Sequence, residues 1–171
     1  MFNKRLQNGM YSLILIHALL LSPLFSGSYS DESRKAPDFT LKSLTGSDSI
    51  SLSALRGNVV LVDFWASWCP PCKQSLPYLS ELEKKYKNLK VVAVNIDDDN
   101  QTAIDFINEN NLKLTMVHDS DKSVVSAYDV PEMPTAYLVD QYGKIQYIHS
   151  GYSESSIREL EFAVRGLVDK P

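Results

Sequence analysis

Cysteine is almost absent from this chain. There are two in 171 residues, Cys69 and Cys72. So few thiols exclude a small disulfide-stapled scaffold, and with neither in the first thirty residues a lipidated N-terminal cysteine is excluded as well. Histidine is scarce, with three copies. A zinc site needs four ligands, so one built on the cysteines would have to recruit His118 and His149 from distant elements. There is no basic excess: the formal net charge is −4. Once Lys4 and Arg5 are set aside, 15 of the 17 Lys+Arg remain against 21 Asp+Glu, which argues against a nucleic-acid partner. No apolar run reaches the roughly 20 residues that span a bilayer. The longest is "YSLILIHALLLSPLF", Tyr11 to Phe25, which carries His17 and is broken by Pro23. Repeats and low-complexity segments are lacking too.

The first thirty residues read as a targeting segment. Lys4 and Arg5 make a short basic start, the apolar stretch follows, and Ser28 and Ser30 satisfy a small-x-small rule ahead of Asp31. Two readings stay open: a cleaved signal peptide, or a retained anchor tethering the protein through residues 10–25. Either places the remainder, residues 31–171, as one extracytoplasmic domain where thiols can be oxidised. Its 44% hydrophobic content and 22% charged content for the whole chain are ordinary for a globular core.

Within that domain, "FTLKSLTGSDSISLSAL" alternates on both sides of Thr45–Asp48 and predicts a β-hairpin turning at Gly46. "NVVLVDFW" (58–65) is Val-rich and nearly all apolar, the signature of a strand buried on both faces. From Pro70 the spacing becomes helical, through Leu76, Leu79, Leu82 and Tyr86, with a kink expected at Pro77. "LKVVAVNI" predicts a second buried strand, "QTAIDFINENN" a helix, "LKLTMVHD" a short strand, and "DKSVVSAYDV" a short helix capped by Ser120 or Asp121. "TAYLVDQYGKIQYIHSG" predicts a hairpin turning at 141–143. A final helix capped by Ser153 presents Ile157, Leu160, Val164 and Leu167 inward. Strands alternating with helices imply an α/β sheet covered on both faces.

The cysteines sit where the buried strand hands over to the helix. Pro70 suits the first helical position, where no N–H is needed. The unpaired N–H groups and dipole of that end favour a Cys69 thiolate. Cys72 lies one turn in, within reach of the Cys69 sulfur and deeper. This arrangement suits attack by one thiol and release by the other. As a structural staple, so small a loop contributes only about 2 kcal/mol in the chain-entropy model.

These motifs together resemble the thioredoxin-fold oxidoreductases, and 36–168 resembles their exported TlpA/ResA-like branch. The pieces that carry the resemblance are "APDFTL", "VDFWASWCPPCK", "VVAVNIDDD", "SAYDVPEMPTAYLVDQYGKI" and the final helix. The resemblance implies a thioredoxin-like α/β fold with an N-terminal β-hairpin. It also implies an inserted helix–strand element between the cysteine half and the cis-proline half. It implies a protein disulfide reductase acting through Cys69 and Cys72 on exported proteins, as in cytochrome c maturation or copper-site assembly. Cofactors and metals are not called for, a membrane electron donor is expected, and the protein is expected to be a monomer. Trp68, Pro70, Pro71, Met133, Pro134 and Thr135 are expected to form the substrate-binding surface. Met133-Pro134-Thr135 matches the family's cis-proline loop, with Pro131 as the other candidate proline.

Asp63 is a charged residue inside an apolar strand, which is costly unless it is partnered or neutral. It matches the buried acid of thioredoxins, a proton carrier for the resolving thiol, and burial is expected to raise its pKa. Where thioredoxins place a Lys beside that acid, this chain has Ala93. In Asp97-Asp98-Asp99, Asp98 falls nearest a Glu that some relatives use instead, and is the candidate secondary acid; a solvated loop and helix cap is the plainer reading of the triplet. Three alternatives remain. A copper-carrying module favours wider cysteine spacing and a nearby His. A peroxiredoxin-like antioxidant protein shares "APDFTL", but carries Thr where Ala66 stands. A DsbA-like oxidant needs a large helical insertion.

Overall fold

The strand that the sequence marks most strongly lies at the centre of the sheet. Val59–Trp65 (β3) is buried along its whole length because it is paired on both sides. The computed structural model describes residues 35–169; the leader or anchor read in residues 1–30 lies outside them. Chain order is β1 (Thr40–Ser43), β2 (Ser49–Ser51), β3, α1 (Pro70–Lys85), β4 (Leu89–Asn95), α2 (Asn100–Glu109), β5 (Thr115–His118), α3 (Ser123–Ala127), β6 (Thr135–Val139), β7 (Ile145–Ser150) and α4 (Glu154–Val168). The seven strands form one mixed sheet in the order β2-β1-β5-β4-β3-β6-β7. β3, β4 and β5 run parallel, while β6 and β7 are antiparallel additions on one side and β1 and β2 on the other. The element between β4 and β6 thus places β5 inside the sheet, and β1 pairs with it.

Side-chain alternation along β3 divides the core. Val59, Leu61 and Trp65 point to the face covered by α1, α2 and α4, in one cluster with Cys69, Cys72, Leu76, Phe106, Leu160 and Val164. Val60, Val62 and Phe64 point to the other face, against Leu52, Val124, Tyr128 and Tyr137. Asp63 falls in the first set by its position.

Three local features hold the helices. α1 starts at Cys69, with Pro70 and Pro71 in its first turn and Lys84 and Lys85 in its last, and it continues through an exposed Pro77. α4 starts at a reciprocal cap between Ser153 and Ser156, which satisfies two orphan N–H groups. Its Glu161 accepts hydrogen bonds from Tyr78 and Tyr86 and pairs with Lys85, tying α4 to α1. The cap of α3 departs from expectation. Lys122 occupies the cap position in a left-handed conformation, and the fully buried Asp119 accepts the N–H groups of Val124 and Val125. Ser120 is not the cap residue, while Asp121 accepts the N–H of Ser123, the first residue of α3.

Candidate active site

The sheet register gathers the site. Trp65 ends β3 opposite Asn95 at the end of β4, and Phe64 lies opposite Thr135 at the start of β6. The segments 66–69, 96–99 and 131–134 therefore all leave the sheet at the same edge.

Cys69 and Cys72 form a disulfide at that edge. Cys69 is the N-cap of α1, and its sulfur accepts the backbone N–H of Cys72 at 3.3 Å. An N-cap acceptor takes its bond from the second or third helical residue. Here the second is Pro71, which has no N–H, so the third supplies the bond. Cys69 is 5% exposed and Cys72 is sealed at 0%. Pro70 is exposed, Pro71 half-buried, and Trp68 stands out from the surface at 65%. Trp65 is buried and stacks obliquely on Phe106 at 5.7 Å between ring centroids.

The Met133–Pro134 peptide is cis. Pro134 is buried, whereas Pro131 is exposed. Met133 packs against the cluster that contains both cysteines. Thr135 is buried, and its hydroxyl donates to the Glu132 carbonyl at 2.8 Å, while Gly151 N–H donates to the Pro134 carbonyl. These bonds fix the loop at both ends.

Asp63 is buried between Ala93 on β4 and Ala136 on β6. No cation reaches it from either neighbouring strand at that register, and burial holds its pKa well above the usual carboxylate range. Among the described residues, its Oδ2 and the Trp65 Nε1 are the buried side-chain polar atoms with no hydrogen-bond partner. One strand beyond Ala136, in register, lies His149, whose pKa burial pushes down.

The plainer reading of the acidic triplet, a solvated loop and helix cap, holds for Asp98 and Asp99 but not for Asp97. Asp98 is fully exposed, and its side chain meets Lys122 at 3.3 Å, so it is not brought to the cysteines. Asp99 caps α2. Asp97 is the acid turned inward: it is 3% exposed and accepts the N–H of Ser67 on both oxygens, at 3.2 and 3.0 Å. Sequence reasoning passed over Asp97; the signal for it was Asn95, a polar residue at the end of an apolar strand with an acid two positions on.

A parallel-centred sheet, a cysteine pair at the start of a helix and a cis-proline loop at the same edge define a thioredoxin-fold thiol–disulfide oxidoreductase. The Redoxin family model matches residues 31–163. ResA, a thiol–disulfide oxidoreductase of Bacillus subtilis, is 34% identical over 154 residues, which are 86% of each chain. A solved structure from Chlorobium tepidum, provisionally named thiol:disulfide interchange protein DsbE, superposes with a TM-score of 0.75 at 37% identity, covering 79% of this chain and 96% of that one. StoA of Bacillus subtilis superposes with a TM-score of 0.64 at 28% identity, over 75% and 96% of the two chains. The chain belongs to the Redoxin family, among its TlpA/ResA-like thiol–disulfide oxidoreductases.

Proposed function

We propose that this oxidoreductase works outside the cytoplasm in the reducing direction, with Cys69 as the attacking thiol and Cys72 as the resolving thiol. The observation that carries the reading is the unequal pair: Cys69 caps the helix and touches solvent, and Cys72 does not. In the reduced protein the Cys69 thiolate attacks a substrate disulfide. One S–S bond breaks, a mixed disulfide forms, and the first substrate sulfur leaves as a thiolate. The Cys72 thiolate then attacks the Cys69 sulfur, the mixed disulfide breaks, and the second substrate thiolate is released. Two electrons pass to the substrate, and the Cys69–Cys72 disulfide remains.

Asp63 lies on the face of β3 that carries the cysteine cluster, and it takes the proton of Cys72 as that thiol becomes a nucleophile. A carboxyl whose pKa is raised by burial suits that exchange. Trp68, Pro70 and Pro71 form the exposed rim. The Met133 backbone, beside the cis Pro134, pairs with an extended substrate segment, and Thr135 anchors the loop. Substrates are disulfides of exported proteins such as apocytochromes c or copper-site assembly factors. A membrane donor returns the electrons, residues 1–30 act as signal or anchor, and the catalytic domain is a monomer.

The test is trapping. Cys72→Ser is expected to accumulate mixed disulfides with substrate in cells, and Cys69→Ser to form none. Adducts on Cys69→Ser and none on Cys72→Ser would reverse the two roles.

A further inference from the structure

The family chemistry leaves one buried charged residue at the site without a role. Asp97 contacts neither cysteine, yet it is the residue that grips the segment leading into them. Its two carboxylate oxygens both receive the Ser67 N–H, and one also receives Asn95 Nδ2 at 2.8 Å. The Asp97 N–H returns to Asn95 Oδ1 at 3.1 Å. Each contact to the carboxylate comes from an N–H donor, so its oxygens serve as acceptors throughout. Its own carbonyl is held at 2.8 Å by His118 Nε2 and at 2.9 Å by Lys122 Nζ. The gripped segment is short: Cys69 N–H donates to the Ala66 carbonyl at 3.1 Å, closing a turn on the very peptide whose N–H Asp97 holds. Chain geometry then keeps the carboxylate within about 8 Å of the Cys69 backbone nitrogen.

We propose that Asp97 is a positioning residue for thiol–disulfide exchange. It fixes the turn that presents Trp68 and Cys69, and its charge opposes formation of the Cys69 thiolate. The other charged groups around this edge do not duplicate it. Asp63 is on β3 under the cluster. Lys73 on α1 lies over the Phe106 ring at 5.2 Å. Asp98 faces solvent beside Lys122. Unit charges about 10 Å apart at an effective dielectric constant near 20 shift an ionisation equilibrium on the order of tenfold. A thiolate made less favourable leaves the disulfide relatively more stable, so the dithiol is the better reductant. The inference rests on the reducing reading only for its biological sense, since the shift is measured between variant and wild type whichever way electrons flow.

The test is Asp97→Asn, which keeps an oxygen for the Ser67 N–H and removes the charge. The pH midpoint for alkylation of Cys69 by iodoacetamide is expected to fall by about one unit. The reduction potential is expected to rise by about 30 mV, the two-electron equivalent of tenfold, at a pH above both midpoints, and to match wild type below them. Asp97→Glu is expected to restore most of the wild-type midpoint, and Asp98→Asn to shift it less than Asp97→Asn does. An unchanged midpoint in Asp97→Asn, or an equal shift in Asp98→Asn, would overturn the proposal. Should Asp97→Asn not fold, the reduced wild-type protein decides: the carbon resonance of the Asp97 carboxyl is expected to show an inflection at the Cys69 midpoint, and its absence overturns the proposal. Failure of the Cys72→Ser trap would strike the assignment of thiol roles and leave these shifts in place.

Discussion

Replacing Asp63 by Asn is expected to change the way stability depends on pH, with a sign and a slope that follow from the burial. The carboxyl lies between two alanines with one oxygen unpartnered, and desolvation raises its native pKa well above that of the unfolded chain. Below the unfolded value near 3.9 both states are protonated and Asp63 has no pH-dependent effect. Between the unfolded and the native value only the native state holds the proton. Stability therefore falls as pH rises, by about 1.4 kcal/mol per pH unit for one proton. Above the native value the loss is complete and constant. Asp63→Asn removes this proton altogether. Its amide also leaves buried groups imperfectly matched, at a cost of roughly 1–3 kcal/mol, but that offset does not vary with pH. The assay is urea unfolding of the oxidised protein, disulfide intact, from pH 4 to 9 for both forms. The difference in unfolding free energy is expected to move toward the variant as pH rises, with the stated slope, and then to level off. A difference flat across the range would refute the argument, because it would mean the native carboxyl ionises as it does in the unfolded chain.

Pro71→His restores an N–H at the one first-turn position from which Cys69 lacks a donor, and it is expected to lower the pH midpoint of Cys69 alkylation and raise the reduction potential; titration of both forms checks it, and no shift would remove the prolines from the account. Leu76→Ala empties a fully buried position on α1 beneath the cysteines, and it is expected to cost about 2–5 kcal/mol in denaturant unfolding.

Much of the fold was legible because its central elements have unambiguous periods. The seven buried residues of β3 could only be a strand covered on both faces, and the spacing of Leu76, Leu79 and Leu82 could only be a helix packed on one side. The cysteine pair was legible from the junction of those two elements. Ala93 as the neighbour of Asp63 came from the resemblance to thioredoxins, which place a Lys there, and the observed register sets Asp63 opposite Ala93. The inward turn of Asp97 was not legible. Three consecutive aspartates look alike in sequence, and which one turns inward depends on where β4 stops relative to β3. Because Ile96 N–H still donates to the Trp65 carbonyl, the next residue, Asp97, meets Ser67, and Asp98 is carried past into solvent. The cap of α3 failed for a similar reason. Asp119 leaves β5 directly and reaches forward five and six residues, farther than a local capping pattern looks.

Pro71 and Asp97 act on one sulfur by different physics, and the difference bears on how the potential is set. Pro71 withholds: Cys69 receives the Cys72 N–H alone, because the preceding helical residue has none to give. The effect is short-ranged and depends on the sulfur staying in the cap position. Asp97 repels through space, which depends on its charge and on the turn from Ala66 to Cys69 staying closed. A thiolate deprived of donors and placed near a fixed negative charge is a poor resting state. The couple then favours the disulfide product, which is the thermodynamic requirement of a reductant. Asp63 does not enter this balance in the same way. In the function proposed above, Asp63 exchanges a proton with Cys72 as that thiol reacts, and so acts on the rate at which the mixed disulfide resolves rather than on the position of the equilibrium. A site with its potential set at the helix start and its proton carrier set in the sheet lets sequence change one without the other.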